Sequence, residues 1–420
     1  MKKVHYDSNV ILTGFTSFFT DISSEMIYPL LQAFVSMIMA SQKALLGPVL
    51  GIIEGISEST ASLLKVFSGY YSDRIARRKA PAISGYALSA MAKLLLFAAS
   101  MGWYFVLLSR FFDRVGKGVR SAPRDALIAE STPKEEQGRA FGFQRSMDFA
   151  GAFCGVAICY FLTRRFIGPA ANNLKNLGDF YWIFFISVIP AFIGVIFLFF
   201  LKEKIVLMAS KEGKARPRPD LDFRKYDKNL RLFFLVQCFF TLGNSSNQFL
   251  LLRSMNLGFS LSTVILMYML FNLASTMFGT AFGRISDIKG RKLVLAGGYG
   301  LYSIVYGAFG FITNQTNWLL WGFWILYGVF YALTEGVEKA FIAELAPASS
   351  KATALGFSHT IVGIGLLPAS VIAGILFTVS PAAPFVFGAL MSCLAFFLMI
   401  VFVKEHRGAG ENPCVDLSQP

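Results

Sequence analysis

Apolar runs long enough to cross a lipid bilayer follow one another along this chain, for example at residues 10–39, 82–101, 180–201 and 231–252. An α-helix needs about 20 residues to span the hydrocarbon core. The 420 residues therefore accommodate twelve such helices joined by short loops. Charged residues make up 15% of the chain, whereas a soluble domain carries about 25%. We therefore predict an all-α integral membrane protein with twelve transmembrane helices.

Two separate polar motifs recur at one offset, which indicates an internal duplication. The segment from Arg124 to Pro133 aligns without a gap with the segment from Glu338 to Pro347, an offset of 214 residues. The motif Gly-x-x-Ser-Asp-x-x-x-Arg that begins at Gly69 recurs at Gly283, at the same offset. Agreement of two distant motifs at one offset predicts two halves of equivalent topology.

A charged, proline-containing segment separates the two halves. We expect an N-terminal six-helix bundle at 1–201, a basic cytoplasmic linker at 202–230 and a C-terminal six-helix bundle at 231–420 that ends in a short cytoplasmic tail. The two bundles are predicted to be pseudo-symmetric, with a cavity between them near the middle of the membrane.

The net charge of +14 raises the question of nucleic-acid binding. Most Lys and Arg fall in the loops that we assign to one side of the membrane, which is the pattern of positive charge on the cytoplasmic side. We therefore expect a multi-pass protein with both termini in the cytoplasm and no nucleic-acid partner. The five cysteines are scattered and have no metal-ligand or disulfide spacing, so we expect no metal site.

The fourth predicted span carries a row of charges where most segments of that depth carry none. Its charged residues on one helical face are Arg110, Asp113, Arg114, Lys117 and Arg124, with Arg120 at the margin. A charge at bilayer depth costs at least about 2.5 kcal/mol. We therefore expect this face to be directed away from lipid, into a polar cavity.

Two pairs of carboxylates, each four residues apart, lie in the first and second predicted spans. Asp21 and Glu25 precede Pro29, which favours a bend in the helix, and Glu54 and Glu58 lie in the second span. Either pair is a candidate site for proton or cation coupling, because adjacent carboxylates in a low dielectric favour retaining a proton. The alternative is structural: they form standing ion pairs with cations of neighbouring helices, Arg110 and Arg114 in the case of Glu54 and Glu58.

Charged residues in the fifth and tenth spans complete the candidate set for solute binding and proton coupling. Arg145 and Asp148 are spaced for a pair within the fifth helix, and Glu335 and Lys339 for a pair within the tenth. We predict both pairs as structural, and retain Arg145, Asp148 and Glu335 as candidates for the site.

The loop after the second span resembles the signature loop of the major facilitator superfamily. It has the pattern Gly-x-x-x-Asp-Arg-x-x-Arg-Arg, and a second copy lies where that family repeats it, between the eighth and ninth spans. The resemblance implies a conformational latch that stabilises the state closed to the cytoplasm. The residues concerned are Gly69, Asp73, Arg74, Arg77 and Arg78 in the first copy, and Gly283, Asp287 and Arg291 in the second.

The resemblance extends to the fourth span, where Arg110 matches the arginine of the family's Arg-x-x-x-Gly motif, a residue that is linked to proton transfer in relatives. The fourth-span segment also resembles a little-characterised bacterial branch of the family. The fifth span has Gly151 and Gly155 but lacks the proline of antiporters. The resemblance therefore implies a monomeric secondary transporter of the bacterial inner membrane, a symporter or an antiporter, whose partners are a small solute, protons and lipid.

Two solute classes remain open. The excess of cations on the fourth span favours an anionic solute, such as a carboxylate-bearing metabolite or a siderophore. If the four carboxylates of the first two spans neutralise that face, the cavity instead suits proton-driven efflux of cationic or amphipathic drugs. A non-transporting receptor or scaffold is the alternative from another class. We expect no enzyme activity and no cofactor, since the sequence contains no nucleotide-binding loop and no nucleophile–base constellation.

Overall fold

The computed structural model describes residues 7–75, 78–133, 137–168, 176–202, 226–346 and 351–404. In these ranges the chain forms helices and turns, without strands. The membrane-spanning helices form two six-helix bundles of equivalent topology, which confirms the predicted fold class.

The helices of the first half are α1 (Ser8–Ile27), α2 (Leu31–Ile38), α3 (Leu46–Ile75), α4 (Lys79–Ala92), α5 (Tyr104–Glu130), α6 (Gln137–Leu162) and α7 (Leu177–Phe199). Those of the second half are α8 (Lys228–Gly243), α9 (Asn247–Asn256), α10 (Leu261–Lys289), α11 (Arg291–Phe311), α12 (Leu320–Leu345), α13 (Lys351–Val379) and α14 (Ala383–Phe402). A 3-10 turn at Tyr28–Leu30 joins α1 to α2 in the first span, and a 3-10 stretch at Lys93–Met101 continues α4 in the third.

Eight helices in the described residues are long and apolar enough to cross a membrane. The remaining four spans depart from that pattern for two physical reasons. The first and seventh are broken, at Pro29 and at residues 244–246, whereas α3 and α5 carry rows of charge. The bend that Pro29 predicts is therefore present.

The same reciprocal contact closes each half, and it supports the internal duplication. The Asn9 side chain donates to the carbonyl of Lys202 and accepts from its backbone N–H, at 2.8 and 3.0 Å. The Asn229 side chain makes the equivalent pair of bonds with Lys404. Each Asn follows a helix-capping aspartate by two residues, Asp7 or Asp227. The first helix of each half is thereby joined to the end of its last helix.

Most of the linker, residues 203–225, lies outside the described residues, so the domain boundaries stay predictions. The first copy of the proposed latch is also largely outside. Arg77 lies outside the described residues, and only the backbone is described at Gly69, Asp73 and Arg74.

The two halves meet most closely where α3 begins and α13 ends; we call this the outer end. A Cβ atom added to Gly47 would lie 2.5 Å from the carbonyl oxygen of Gly374, and one added to Gly51 would lie 2.3 Å from that of Ser370. Real Cβ atoms do not approach a neighbour so closely, so glycine is required at both positions for this packing. The outer end is therefore closed by direct backbone contact between α3 and α13.

We expect Gly51→Leu to open the outer end, since overpacking of a tight contact costs about 1–3 kcal/mol. The reactivity of Leu50→Cys, which replaces a buried side chain of α3, towards a membrane-impermeant maleimide reports the opening. The reaction rate should rise several-fold in the Gly51→Leu background. Gly297→Leu is the matched control, because an added Cβ meets open space there. Equal rates in the two backgrounds would contradict the role of the glycine contact.

Candidate functional site

A cavity of about 800 Å³ lies between the two halves. It reaches the end of the molecule where α5 ends and α6 begins, which we call the inner end. The charged residues that line it are Asp21, Lys65, Lys117, Arg120, Arg124, Asp125, Arg145, Asp148, Glu335 and Lys339. The uncharged lining includes Tyr86, Gln144, Phe149, Ser275, Thr276, Tyr331 and His359. The structure is therefore closed at the outer end and open at the inner end.

The charged face of α5 is directed away from lipid, but it divides into two parts. Lys117, Arg120 and Arg124, in the C-terminal half of the helix, line the cavity. Arg110 and Arg114, nearer the outer end, contact α3 instead. The predicted polar face thus forms both the cavity wall and the layer that closes the cavity.

The closing layer is a ladder of ion pairs between α3 and α5, which we call the ion-pair ladder. Arg110 donates from Nε and Nη2 to the two carboxylate oxygens of Glu54, each at 3.1 Å, and lies 3.5 Å from Glu58. Arg114 pairs with Glu58 at 2.7 Å. Only 1% of Glu54 is exposed. The sequence left Glu54 and Glu58 either as a proton-coupling site or as partners of Arg110 and Arg114, and the structure shows the ion pairs with these arginines.

Side chains of the second half contact this layer from across the interface. Ser246, in the break between α8 and α9, donates to Glu54 at 2.9 Å. Tyr268 donates to Glu25 at 3.2 Å, and Gln248 donates to the carbonyl of Tyr28 at 2.8 Å. The carboxylates of the first half therefore also hold the two halves together in this conformation.

Asp21 and Asp113 have no ion-pair partner among the described residues. Asp21 faces the cavity, and one carboxylate oxygen of Asp113 is buried without a hydrogen bond. Lys93 donates to the side chains of Ser23 and, at 3.3 Å, Ser24. Asp21 is thus the cavity carboxylate that no fixed cation neutralises.

The prediction of ion pairs within one helix, Arg145 with Asp148 and Glu335 with Lys339, is wrong. Arg145 pairs with Glu335 of the other half at 2.5 Å, instead of with Asp148. Asp148 accepts from Gln144 at 3.1 Å and lies 3.9 Å from Arg124. Helical spacing brings two side chains within reach, but contacts across the cavity compete with that arrangement. As a consequence, Lys339 has no carboxylate partner among the described residues.

The second copy of the proposed latch is described. Arg291 contacts Asp287 at 3.2 Å and donates to Glu344, near the end of α12, at 3.1 Å. In the first copy, Arg78 donates to Glu130 at 3.2 Å. A Cβ added at Gly283 would meet no atom within 4 Å, so that glycine does not mediate a close helix approach in this conformation. The contacts join the loop to the last turn of a neighbouring helix in each half.

Sequence reasoning missed the contacts supplied by the second half. In the polar run from Asn244 to Gln248, Ser246 and Gln248 contact the first half directly. The signal was present, since polar residues interrupt an otherwise apolar span. Tyr268 gives no such signal, because a tyrosine in an aromatic-rich span is ordinary.

Comparison with known proteins agrees with the fold. The family model described as Major Facilitator Superfamily matches residues 13–255 and 232–413. An uncharacterized MFS-type transporter of Methanocaldococcus jannaschii is 36% identical over 398 residues, which cover 93% of this chain and 94% of that protein. The tetracycline resistance protein of class H from Pasteurella multocida is 28% identical over 134 residues, 31% of this chain and 32% of its own.

Solved structures show the same fold at low identity. A D-xylose–proton symporter superposes with a TM-score of 0.75 at 15% identity, covering 96% of this chain and 98% of its own. The nucleoside transporter NupG superposes with a TM-score of 0.70 at 14% identity, covering 93% and 98%.

We expect Arg110→Met to destabilise the protein more than the double substitution Arg110→Met with Glu54→Met. Removing one partner leaves a buried charge uncompensated, which costs about 3–5 kcal/mol, whereas replacing both is often close to neutral. Melting temperatures of the purified variants in detergent test this order. Arg78→Met, at a more exposed ion pair, is the control and should lower the melting temperature less. A double variant less stable than Arg110→Met would contradict the ion-pair role.

Proposed function

This chain belongs to the major facilitator superfamily, and on that premise we propose that it is a secondary active transporter that moves a small organic solute by alternating access. The observation that supports this most directly is the large polar cavity between the halves, open at one end and closed at the other by contacts that cross the interface. These contacts join surfaces of two similar bundles, so the bundles can rock around the cavity. The positive charge of the loops at the open end supports a cytoplasmic orientation of that end, in a protein of the inner membrane.

Opening of the outer end in this scheme requires four sets of contacts to separate. They are the α3–α13 backbone contact and the hydrogen bonds from Ser246 to Glu54, from Tyr268 to Glu25 and from Gln248 to the carbonyl of Tyr28. The ion-pair ladder itself lies wholly within the first half, so it stays intact while the halves move. Glu54 therefore keeps its cation in both states, and the cost of exposing an unpaired charge is avoided.

The solute that best fits the cavity is an anion. Six Lys and Arg line it against four Asp and Glu, an excess of two positive charges. A metabolite or siderophore that bears negative charge would neutralise this excess. Similarity of about a third of the chain to a tetracycline resistance protein supports efflux of drugs as a second candidate. A drug cation would add to the positive charge of the lining, so we favour the anion.

We assign proton coupling to Asp21. A carboxylate that no fixed cation neutralises can take up and release a proton as its surroundings change. Lys117 and Arg120 of α5 and Asp148 of α6 line the same cavity as Asp21, and Glu25 lies four residues further along α1. An anionic solute near Lys117 would favour a proton on Asp21. Glu54 and Glu58 are less suited to this role, because Arg110 and Arg114 form ion pairs with them.

Cysteine labelling from both sides of the membrane tests alternating access without knowledge of the solute. Ser121→Cys lies in the open cavity and Leu50→Cys in the closed outer layer. In oriented vesicles, we expect Ser121→Cys to react with impermeant maleimide from the inner side and Leu50→Cys from the outer side. Labelling of Ser121→Cys alone would support the static receptor, and labelling of both from either side would support a pore.

We expect Asp21→Asn to remove solute-driven proton movement while solute exchange persists, because the amide cannot carry a proton. Proteoliposomes with an internal pH-sensitive dye, tested with a panel of anionic and cationic solutes, measure the proton movement. Asp179→Asn, in the first turn of α7 and outside the cavity lining, is the control. Proton movement that survives Asp21→Asn would exclude Asp21 as the proton carrier.

A further inference from the structure

Three lysines line the cavity without an ion-pair partner or a side-chain hydrogen bond among the described residues. They are Lys65 on α3, Lys117 on α5 and Lys339 on α12, and we call them the lysine cluster. The three side chains reach this one cavity from three different helices. Three like charges that face one cavity repel one another, so their arrangement is favourable only when an anion is present.

The other cations of the cavity are already engaged. Arg124 pairs with Asp125 at 2.9 Å, and Arg145 pairs with Glu335 at 2.5 Å. Arg120 donates to Ser89 at 2.7 Å, and its guanidinium lies 4.2 Å from the ring centre of Tyr86. The guanidinium groups of these arginines therefore already contact protein groups, whereas the ammonium groups of the lysine cluster have no such partner among the described residues.

Neighbouring carboxylates do not neutralise the lysine cluster. Glu58, on the same helix as Lys65, is held by Arg114 at 2.7 Å and by Arg110 at 3.5 Å. Asp21 is the remaining carboxylate of the cavity without an ion pair, and it supplies one negative charge against three lysines and Arg120. These five residues carry a net charge of +3, whereas the other charged residues of the lining carry −1, so the positive excess of the cavity is concentrated around the lysine cluster.

We infer that the lysine cluster binds the dianionic phosphate group of an organic phosphate monoester, and this inference rests on the proposed transport function of the same cavity. A phosphate monoester carries about −1.5 to −2 charges at pH 7 and three terminal oxygens. Lysine binds phosphate as a compact point charge with three N–H donors, whereas bidentate recognition of a carboxylate favours arginine. Each ammonium group of the cluster can donate to a terminal oxygen, and the excess of two positive charges in the whole lining equals the charge of the dianion.

The remainder of the solute has a place beside the cluster. Phe149 and Tyr331 supply apolar surface on opposite halves, and Ser275 and Thr276 supply hydroxyl groups. The volume of about 800 Å³ lies within the range of about 300–1,000 Å³ for small-molecule sites. An organic body of metabolite size therefore fits together with the phosphate.

The cluster also connects solute binding to the motion of the halves. Lys65 and Lys117 belong to the first half, and Lys339 belongs to the second. Without an anion, their repulsion holds the inner end open. A phosphate group between them replaces repulsion by attraction across the interface, which favours closure of the inner end around the solute.

Binding to the purified full-length protein tests this inference with four ring compounds that differ in charge. They are phenyl phosphate and phthalate as dianions, benzoate as a monoanion and phenyltrimethylammonium as a cation. We expect titration calorimetry to show phenyl phosphate binding at least about tenfold more tightly than the other three. Lys65→Gln, Lys117→Gln and Lys339→Gln should each weaken it about ten- to a hundredfold, because each removes a charged hydrogen bond.

Two further variants distinguish loss of the phosphate site from a general change in the charge or folding of the protein. Lys289→Gln removes an exposed lysine at the end of α10, outside the cavity lining, and should leave the affinity unchanged. Lys339→Arg retains the charge and should keep most of the affinity that Lys339→Gln loses. Equal affinity for phthalate and phenyl phosphate would overturn the phosphate assignment. Wild-type affinity for phenyl phosphate in all three Gln variants would overturn the site.

Failure of this inference is distinguishable from failure of the proposed function. If the protein binds benzoate or the cation more tightly than phenyl phosphate, yet Ser121→Cys and Leu50→Cys label from opposite sides, the transport function stands and the phosphate site is wrong. If phenyl phosphate binds through the three lysines but Leu50→Cys never labels, the anion site stands and alternating access is wrong.

Discussion

Pairing of buried charges in an apolar medium is the constraint on which the rest of this structure depends. Arg110, Arg114, Glu54 and Glu58 lie at a depth where each alone would be unstable in lipid. The two-point contact between Arg110 and Glu54 satisfies both groups inside one half of the protein. Because the ladder does not cross the interface, the charges are neutralised without fixing the halves to each other. The hydrogen bonds that cross the interface at this layer come from Ser246, Gln248 and Tyr268, and each is a single bond from a neutral side chain.

The closed outer end and the open inner end follow from two different kinds of packing. At the outer end, Gly47 and Gly51 let the backbone of α3 touch that of α13, so the surfaces fit without side chains between them. At the inner end, charged side chains of α5 and α12 line the same cavity. Only the pair Arg145–Glu335 links the lining of the two halves by an ion pair among the described residues. The proposed transport cycle depends on this difference between a close backbone contact at one end and a charged opening at the other.

The two halves share the contact that closes each bundle, but they differ in the residues that line the cavity. Asn9 and Asn229 make the same closing contact in each half, so the structural role has been kept in both copies. The cavity residues have not been kept. Arg124 in the first half is Glu338 in the second, where Gln237 donates to it at 2.5 Å. Arg145 corresponds to His359. The first half therefore supplies most of the charge, and the second half supplies Lys339, Glu335 and the aromatic wall around Tyr331.

The sequence by itself determined the number of spans, the division into two similar halves, the bend at Pro29 and the polar face of α5, since hydropathy, duplication and helical periodicity are local properties. It also located the charged groups of the ladder, because a charge in an apolar run must have a partner. Only the tertiary structure decided which partner each charge takes. Arg145 lies one turn from Asp148 yet pairs with Glu335, 190 residues away, and this leaves Lys339 facing Lys65 and Lys117. Spacing along one helix limits the partners within reach, but the packing of the two halves brings others into competition, and that packing is not a local property.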